Sequence, residues 1–502
     1  MRAPRIPSWL PVVVFVVGSA SLGAEIAAAR LLAPWFGAST IVWANTIATV
    51  LVALSIGYAV GGRLADRNPT MLGLSRIVLV AAALLAIVPF VSGPFLREST
   101  KAFEHLSAGI FVGSLIGVGV LIAIPVLLLG MISPYAVRLQ VHGVADAGRV
   151  SGQLYAIGTV GSLTGTFLAS LLLIPVVGSR RTFLVFALAL ALVALPGLAR
   201  ARWLAGAVAL VIIGLMALPV GLTKSVTAHG TVIWEQETEY QYARVIEDSD
   251  GARRLELNEG QAVHSVYTPG EWLTGGYWDE MLVLPFAAEQ QPERVAILGS
   301  AAGTTARAMA HYWPGTRIDA VEIDPAVTEV GRQLFDLHGA GIRTHTADAR
   351  PWLHASNDQY DAILVDAYRQ PYIPFYLTTR EFFALVKAHL APGGVVVINV
   401  GHPADSDALE KVLTATMRAE FGHDRVFRDP SQQTNTMLLG TTAPDAPEQL
   451  VRASARMPAE VADVAEEAAL RLEPGLDGGK VYTDDKAPVE WLVDASLAAE
   501  AE

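Results

Sequence analysis

The stretch Arg294–Asp324, RVAILGSAAGTTARAMAHYWPGTRIDAVEID, decides the fold. An apolar run of strand length, a glycine turn, a helical stretch and a second apolar run ending in acids together spell a βαβ unit. In such a unit glycines let the backbone approach a ligand closely, and an acid at the tip of the second strand can accept hydrogen bonds from ribose hydroxyls. Glu322 stands 23 residues beyond Gly299, which suits that task. The loop from Gly299 to Gly303, GSAAG, lacks the G-x-G-x-x-G spacing that seats a dinucleotide pyrophosphate. A nucleoside cofactor without phosphates, a relative of S-adenosylmethionine, fits it better.

The alternation continues downstream: IRTHTAD, YDAILVDA and GGVVVINV read as further strands, with helical stretches near 325–336, 350–355 and 378–390. This pattern predicts a doubly wound, largely parallel α/β sheet of the Rossmann-like kind. Upstream, residues 232–266 alternate in β fashion around a turn at Asp248–Gly251, which predicts a small antiparallel β-subdomain, and a helix follows from about Gly276. Ligands of open α/β sheets bind beyond the carboxyl ends of the strands. That rule selects Gly299 and Gly303 after the first strand, Glu322 and Asp324 after the second, Asp348 after the third, and Asp366 with Tyr368 after the fourth. Asp324, ahead of Pro325, and Asp348 are equally well placed as helix caps. Glu322 and Asp366 each end an apolar strand, where a carboxylate is harder to explain structurally.

Charge divides the chain in two. Residues 1–224 hold five acids against 15 Lys or Arg, and the remaining 278 residues hold 43 acids against 21, for net charges of +10 and −22. The basic half consists of long apolar runs with charges confined mostly to the connections, as in a multi-pass α-helical membrane domain. Runs near 10–33, 41–62, 75–96, 108–132, 153–177, 181–198 and 203–222 give about seven spanning helices, the last two short and separated only by 197–202. Gly158, Gly161 and Gly165 give the fifth run a small face suited to close packing in lipid. Arg2, Arg5, Arg63, Arg67 and Arg76 place the N-terminus and the second loop on the cytoplasmic side. Glu25 and Arg30 fall inside the first run, as members of a polar site or as a packed and a snorkelling side chain. The segment Gly61–Arg67, GGRLADR, reads as a short basic loop resembling the one after the second helix of major-facilitator transporters. The domain boundaries expected are 1–224 for the membrane part, 225–288 for the β-subdomain and its linking helix, and 289–502 for the Rossmann-like part.

The chain has no cysteine, which excludes disulfides, thiolate catalysis and Cys-type zinc sites. Its eleven histidines show no H-x-x-x-H or H-E-x-x-H spacing, so no metal is expected. The acidic half has no Lys/Arg stripe and argues against nucleic acid as a partner.

Taken in order, Tyr240-Gln241, the LNEG turn at Leu257–Gly260, GGYWDEM at Gly275–Met281, VAILGSAAG, VEID, ADAR, YDAILVDA and the run FYLTTREFFALVKAHLAPGGVVVIN resemble the spermidine/spermine synthase family. Within that family they resemble in particular the bacterial membrane-fused spermidine synthase-like proteins. The likeness covers about Tyr240 to Asp494, and the combination is far more specific than any one motif. It implies a β-subdomain followed by a methyltransferase-type Rossmann domain. It also implies transfer of the aminopropyl group of decarboxylated S-adenosylmethionine to a polyamine such as putrescine, in a membrane-bound enzyme that dimerises through this domain.

By the same resemblance Asp366 is the catalytic aspartate. Glu322 is the ribose-binding acid, Asp348 and Ala349 hold the adenine, and Gly299, Gly303 and Asp324 complete the cofactor side. Gln241, His264, Tyr277, Asp279 and Tyr368 are the expected substrate-binding residues. Departures fall on the amine side. The family's G-G-G-D-G aspartate is Ala302, and the second aspartate of its D-S-S-D segment is Arg369. Two lost anions and a gained cation weaken capture of a dication. Two other readings stay open: a methyltransferase using ordinary S-adenosylmethionine, and a membrane transporter or sensor whose soluble part binds a nucleoside or polyamine without turnover. The tail YTDDKAPVEWLVD, Tyr482–Asp494, is expected to pack as a terminal strand.

Overall fold

A computed structural model describes residues 9–36, 40–103, 109–218, 230–258, 262–288, 290–368, 372–442 and 445–500. The chain divides into two compact units, Met1–Lys224 with Glu237–Tyr242, and Ser225–Gln236 with Ala243–Glu502.

The first unit is built from α1 (Leu10–Phe36), α2 (Thr40–Arg67), α3 (Met71–Phe103), α4 (Gly109–Gln140), α5 (Val144–Phe167), α6 (Ile174–Ala194) and α7 (Arg202–Ala217). Among the described residues five stretches are long and apolar enough to cross a membrane: Leu10–Phe36, Ile41–Arg67, Met71–Ser99, Val112–Gln140 and the 55-residue Val144–Leu198. The fifth and sixth expected runs both lie in that last stretch, where α5 passes through a π-helical segment, Leu168–Leu173, and the helix breaks at Gly178 with φ +80°. The seventh run is the 16-residue α7. At 1.5 Å per residue it reaches about 24 Å, short of a hydrocarbon core of about 30 Å. The GGRLADR segment is not a loop but the last two turns of α2, where Asp66 pairs with Arg138 of α4 at 3.1 Å. Nothing in Gly61–Arg67 stops a helix: it holds no proline, and the glycine pair is followed by Arg63, Leu64 and Ala65, which have good helix propensity. Glu25 is buried.

Glycine explains the close contact of α1 with α5. A Cβ on Gly161 would overlap the carbonyl of Phe15, and one on Gly165 would overlap that of Ser19. The backbones of α1 and α5 therefore touch, and Ser19 Oγ donates to the Gly161 carbonyl at 2.8 Å. Small residues permit this approach, and dispersion with an interhelical hydrogen bond rewards it.

The second unit opens with a four-stranded sheet in the order β1 (Thr231–Glu237), β2 (Tyr242–Glu247), β3 (Arg253–Leu257), β4 (Val263–Tyr267). Its larger sheet contains β5 (Arg294–Leu298), β6 (Arg317–Glu322), β7 (Ile342–Thr346), β8 (Tyr360–Val365), β9 (Leu390–Gly401), β10 (Val426–Asp429), β11 (Asn435–Thr441) and β12 (Glu473–Pro474). The spatial order is β12-β10-β11-β9-β8-β5-β6-β7. Strands β5 to β9 pair in parallel and β11 returns antiparallel on β9. The chain builds outward from β5 through β6 to β7 and then reverses to lay β8 and β9 on the other side. The switch point thus lies between β5 and β8, where a crevice opens beyond the strand ends. Central strands read as continuous apolar runs because both faces are covered: Val295–Leu298, Ala362–Val365 and Val395–Ile398 are at most 3% exposed.

The tail departs from the expected strand. Thr483 and Lys486 form only an isolated bridge, and after Pro488 a helix runs from Val489 to Glu500. Proline at the entry to a first turn favours that start. Asp484 is held by both Arg350 guanidinium nitrogens, at 2.7 and 2.6 Å, and by Thr379 Oγ1 at 2.7 Å, which pins the tail to the Rossmann-like domain.

Candidate active site

The turn between β5 and the helix Thr304–Tyr312 is shaped by its glycines. Gly299 has φ +89°, and a Cβ there would lie 2.5 Å from the Asp366 carbonyl oxygen and from Ala367 Cα. Only glycine lets the β5 and β8 ends come this close. Gly303 is left-handed as well, at φ +91°. Between them Ala302 is fully buried in an apolar cluster with Ala243, Val245, Leu255, Leu257, Val327, Val330 and Phe335. Its N–H donates to Ser265 Oγ at 2.9 Å.

Glu322 closes β6 and braces this loop. One carboxylate oxygen accepts from Ala301 N and the other from Asp324 N, each at 3.0 Å. Burial raises its pKa to about 7, against the pull of those amides. Asp324 caps the helix Pro325–Leu334 through Ala326 N. Asp348 caps Ala349–Ala355 through Arg350 N and also accepts from Tyr376 OH at 2.7 Å. Both acids therefore have a structural duty, and Asp348 with Ala349 stands just beyond the end of β7.

Asp366 follows β8 at the switch point, its N–H donating to the Leu298 carbonyl at 2.8 Å. Oδ1 accepts from Asn399 Nδ2 at 2.8 Å and Oδ2 from Tyr277 OH at 3.1 Å. Asn399 Oδ1 in turn accepts from Asn435 Nδ2 at 2.9 Å, so a chain of amides orients the carboxylate. Burial pushes the Asp366 pKa up to about 7, and the two donors restrain the rise. Burial beside this carboxylate holds the Tyr277 phenol well above its ordinary range. Tyr368 OH donates to the Asn399 carbonyl and accepts from Gly401 N, both at 2.8 Å.

Asp366, Tyr277, Tyr368 and His264 line one cavity of about 450 Å³. Burial lowers the His264 pKa to about 4, so its ring is neutral at pH 7, and its Nε2 has no hydrogen-bond partner among the described residues. Two expected substrate residues lie outside this cavity lining. Asp279 is turned into the preceding loop, accepting from Thr274 N and Oγ1 and from Gly275 N, and is absent from the cavity lining. The Gln241 backbone N–H and carbonyl close a turn with the Thr238 hydroxyl, and the residue is likewise absent from that lining. Arg369 lies outside the described residues. The cavity brings in residues that the sequence reading passed over: Trp278, Asn399, His402, Gln432, Thr434, Asn435 and Val493. Of these only Asn399 carried a local sign, a polar residue inside the apolar run GGVVVINV.

Chemically, the arrangement offers one oriented carboxylate with a pKa near neutrality, lining a half-open cavity beside the glycine turn after β5. That suits removal of a proton from an amine followed by displacement at a carbon.

A family described as the spermine/spermidine synthase domain matches residues 276–424. A "probable polyamine aminopropyl transferase" of Bifidobacterium longum is 34% identical over 291 residues, covering 53% of this chain and 64% of that protein, slightly under two thirds of its length. A polyamine aminopropyltransferase of Vibrio vulnificus is 31% identical over 216 residues, covering 42% of this chain and 71% of that protein. Among solved structures, a probable spermidine synthase from Corynebacterium glutamicum aligns with a TM-score of 0.39 at 22% identity, over 52% of this chain and 100% of the other.

Proposed function

Because the chain belongs to the spermine/spermidine synthase family, we propose that it is a membrane-bound aminopropyltransferase, with Asp366 as the base at the switch point of its Rossmann-like sheet. The observation that carries this reading is the buried Asp366 carboxylate, aimed into the cavity, held by Asn399 and Tyr277 and poised near pH 7. The co-substrate is decarboxylated S-adenosylmethionine and the acceptor is an amine, the resemblance implying a polyamine such as putrescine. The acceptor ammonium gives its proton to Asp366. The freed nitrogen lone pair attacks the aminopropyl carbon bonded to the sulfonium. The C–S bond breaks, its electron pair neutralises sulfur, and methylthioadenosine leaves.

The cofactor side is assigned to the ends of β5, β6 and β7. Glu322 keeps lone pairs beyond those used by Ala301 N and Asp324 N, and these can take the ribose hydroxyls. Asp348 and Ala349 flank the adenine, with Gly299 and Gly303 allowing close backbone approach. Tyr277 orients Asp366, while Tyr368 fixes Asn399 and walls the acceptor space. The five apolar stretches support attachment to a bilayer, and the second unit dimerises. Ala302, apolar and buried where the family carries an aspartate, favours as second reading a methyl donor that brings no aminopropyl ammonium.

The experiment is turnover by detergent-purified protein with an amine panel and either donor, followed by mass spectrometry. Methylthioadenosine release supports the proposal. S-adenosylhomocysteine from S-adenosylmethionine supports the second reading, and bound nucleoside without any product supports a sensor.

A further inference from the structure

The two carboxylate oxygens of Asp366 are held by two arms that reach the cavity from different parts of the second unit. Oδ2 accepts from Tyr277, the first residue of the helix Tyr277–Val283. Oδ1 accepts from Asn399, whose own amide oxygen is held by Asn435 at the start of β11. Followed away from the cavity, both arms end on one side chain. Glu280, three residues past Tyr277, is 6% exposed, and its Oε1 accepts from Arg471 Nη2 at 3.1 Å. Asp429 closes β10, six residues before Asn435, and is 0% exposed. Its Oδ1 accepts from Arg471 Nε at 2.8 Å and its Oδ2 from Arg471 Nη2 at 3.3 Å. Arg471 ends the helix Ala459–Arg471 and is not among the described residues that line the cavity.

Two buried carboxylates side by side repel unless a cation lies between them. A planar guanidinium meets both at once with N–H groups in fixed directions, which the point charge of a lysine does less well. The neighbouring Arg428 is engaged by Glu410 and Glu473, and Glu467 stands 3.6 Å from Arg471 on its exposed side. The guanidinium thus sets the spacing between the helix that carries Tyr277 and the strand end that leads to Asn435. Resting on the reading of Asp366 as base, we propose that Arg471 is a positioning residue for the transfer reaction, tying Glu280 to Asp429 and so keeping Tyr277 and Asn399 aimed at the two oxygens of Asp366. It touches no substrate. With the clamp loosened, both donor bonds lengthen and the ionised carboxylate loses support, so Asp366 holds its proton more tightly. The base is then protonated over more of the neutral range and takes the acceptor's proton less readily.

The test uses full-length protein in detergent and two variants. Arg471→Lys keeps the charge. Arg471→Met is combined with Glu280→Gln, which removes the repulsion that the lost cation would leave. Each chain is melted beside its own Asp366→Asn counterpart across pH. The difference in melting temperature reports the titration of Asp366 alone, because Glu280 or its replacement, Asp429 and Glu467 are the same in both members of a pair. In the wild type this difference levels off near pH 7. The Met variant is expected to level off about one pH unit higher, a tenfold gain in proton affinity, and the Lys variant by less. The acid limb of kcat/KM for methylthioadenosine release is expected to move with it, while KM for the nucleoside donor stays. A level-off that stays in place while melting temperatures fall at every pH makes Arg471 an ordinary structural ion pair and overturns the inference. Loss of folded protein in both variants overturns it too. If the wild type releases no methylthioadenosine with any amine, aminopropyl transfer fails as a reading, and the melting difference still decides whether Arg471 positions the partners of Asp366.

Discussion

The side-chain amide of Asn399, the penultimate residue but one of β9, donates to Asp366 Oδ1 at 2.8 Å from the strand next door. A donor favours the ionised carboxylate, so this bond holds the Asp366 pKa below the value burial alone would impose. Asn399→Ala should therefore move the acid limb of the kcat/KM profile above its wild-type position near pH 7. The variant loses rate at pH 7 and recovers much of it by pH 9. A limb that stays in place would show that the amide does not tune the base.

Asp366→Asn keeps shape and both neighbours but removes the proton acceptor. Turnover should fall by about 10²–10⁴-fold, the usual share of general base catalysis, with methylthioadenosine binding retained. The same substitution has a stability signature. Raised in the folded protein, the Asp366 pKa means the native state binds the extra proton between about pH 4 and 7, and wild-type stability falls as pH rises across that window. The variant lacks this component, so its melting temperature should gain on the wild type from pH 4 to 7. Parallel melting curves at all pH values would contradict the buried, raised state of this carboxylate.

Glu322→Gln replaces an oxygen that accepts a backbone N–H with an NH₂ group that cannot. One of the Ala301 or Asp324 amides loses its acceptor and the ribose loses a charged partner. Calorimetry with methylthioadenosine should register at least a tenfold weaker affinity, about 1.4 kcal/mol. Unaltered affinity would remove Glu322 from the nucleoside site.

Much of this site was readable because it is local. A glycine or acid directly after an apolar strand is visible in any sequence, and the switch-point rule turns those positions into one crevice. What escaped is set by pairing between distant segments. Asn435 reaches Asn399 because β11 folds back on β9 with Asn435 opposite Gly401, and no periodicity announces that register. The amine-side expectations for Asp279 and Gln241 came from motif position alone. Motif position says nothing of the loop 274–276 into which the Asp279 carboxylate turns. A terminal strand is expected for the tail, yet after Pro488 a helix carries Val493 to the cavity wall.

Restoring the family's aspartate at position 302 looks from sequence like a way to recover diamine capture. The Ala302 side chain instead points into an apolar cluster and is 0% exposed. A carboxylate there has no charge partner, and such burial typically costs several kcal/mol or forces protonation. Ala302→Asp should lower the melting temperature by several degrees at pH 8 without improving the Michaelis constant for putrescine. A stable variant with tighter putrescine use would mean the loop turns this position toward the ligand.

In the membrane-type unit, the contact of α1 with α5 gives a contrast between two kinds of glycine. A Cβ at Gly165 would overlap the Ser19 backbone, whereas one at Gly206 in α7 meets nothing within 4 Å. In the first case a methyl group must separate two helices along the face where Ser19 Oγ reaches the Gly161 carbonyl, losing dispersion and a hydrogen bond together. In the second, alanine adds helix propensity of up to about 1 kcal/mol at no steric cost. Gly165→Ala should therefore reduce the yield and thermal stability of folded protein in detergent, while Gly206→Ala should match or exceed wild type. Equal behaviour of the two variants would mean that α1 and α5 do not pack backbone to backbone in the folded protein.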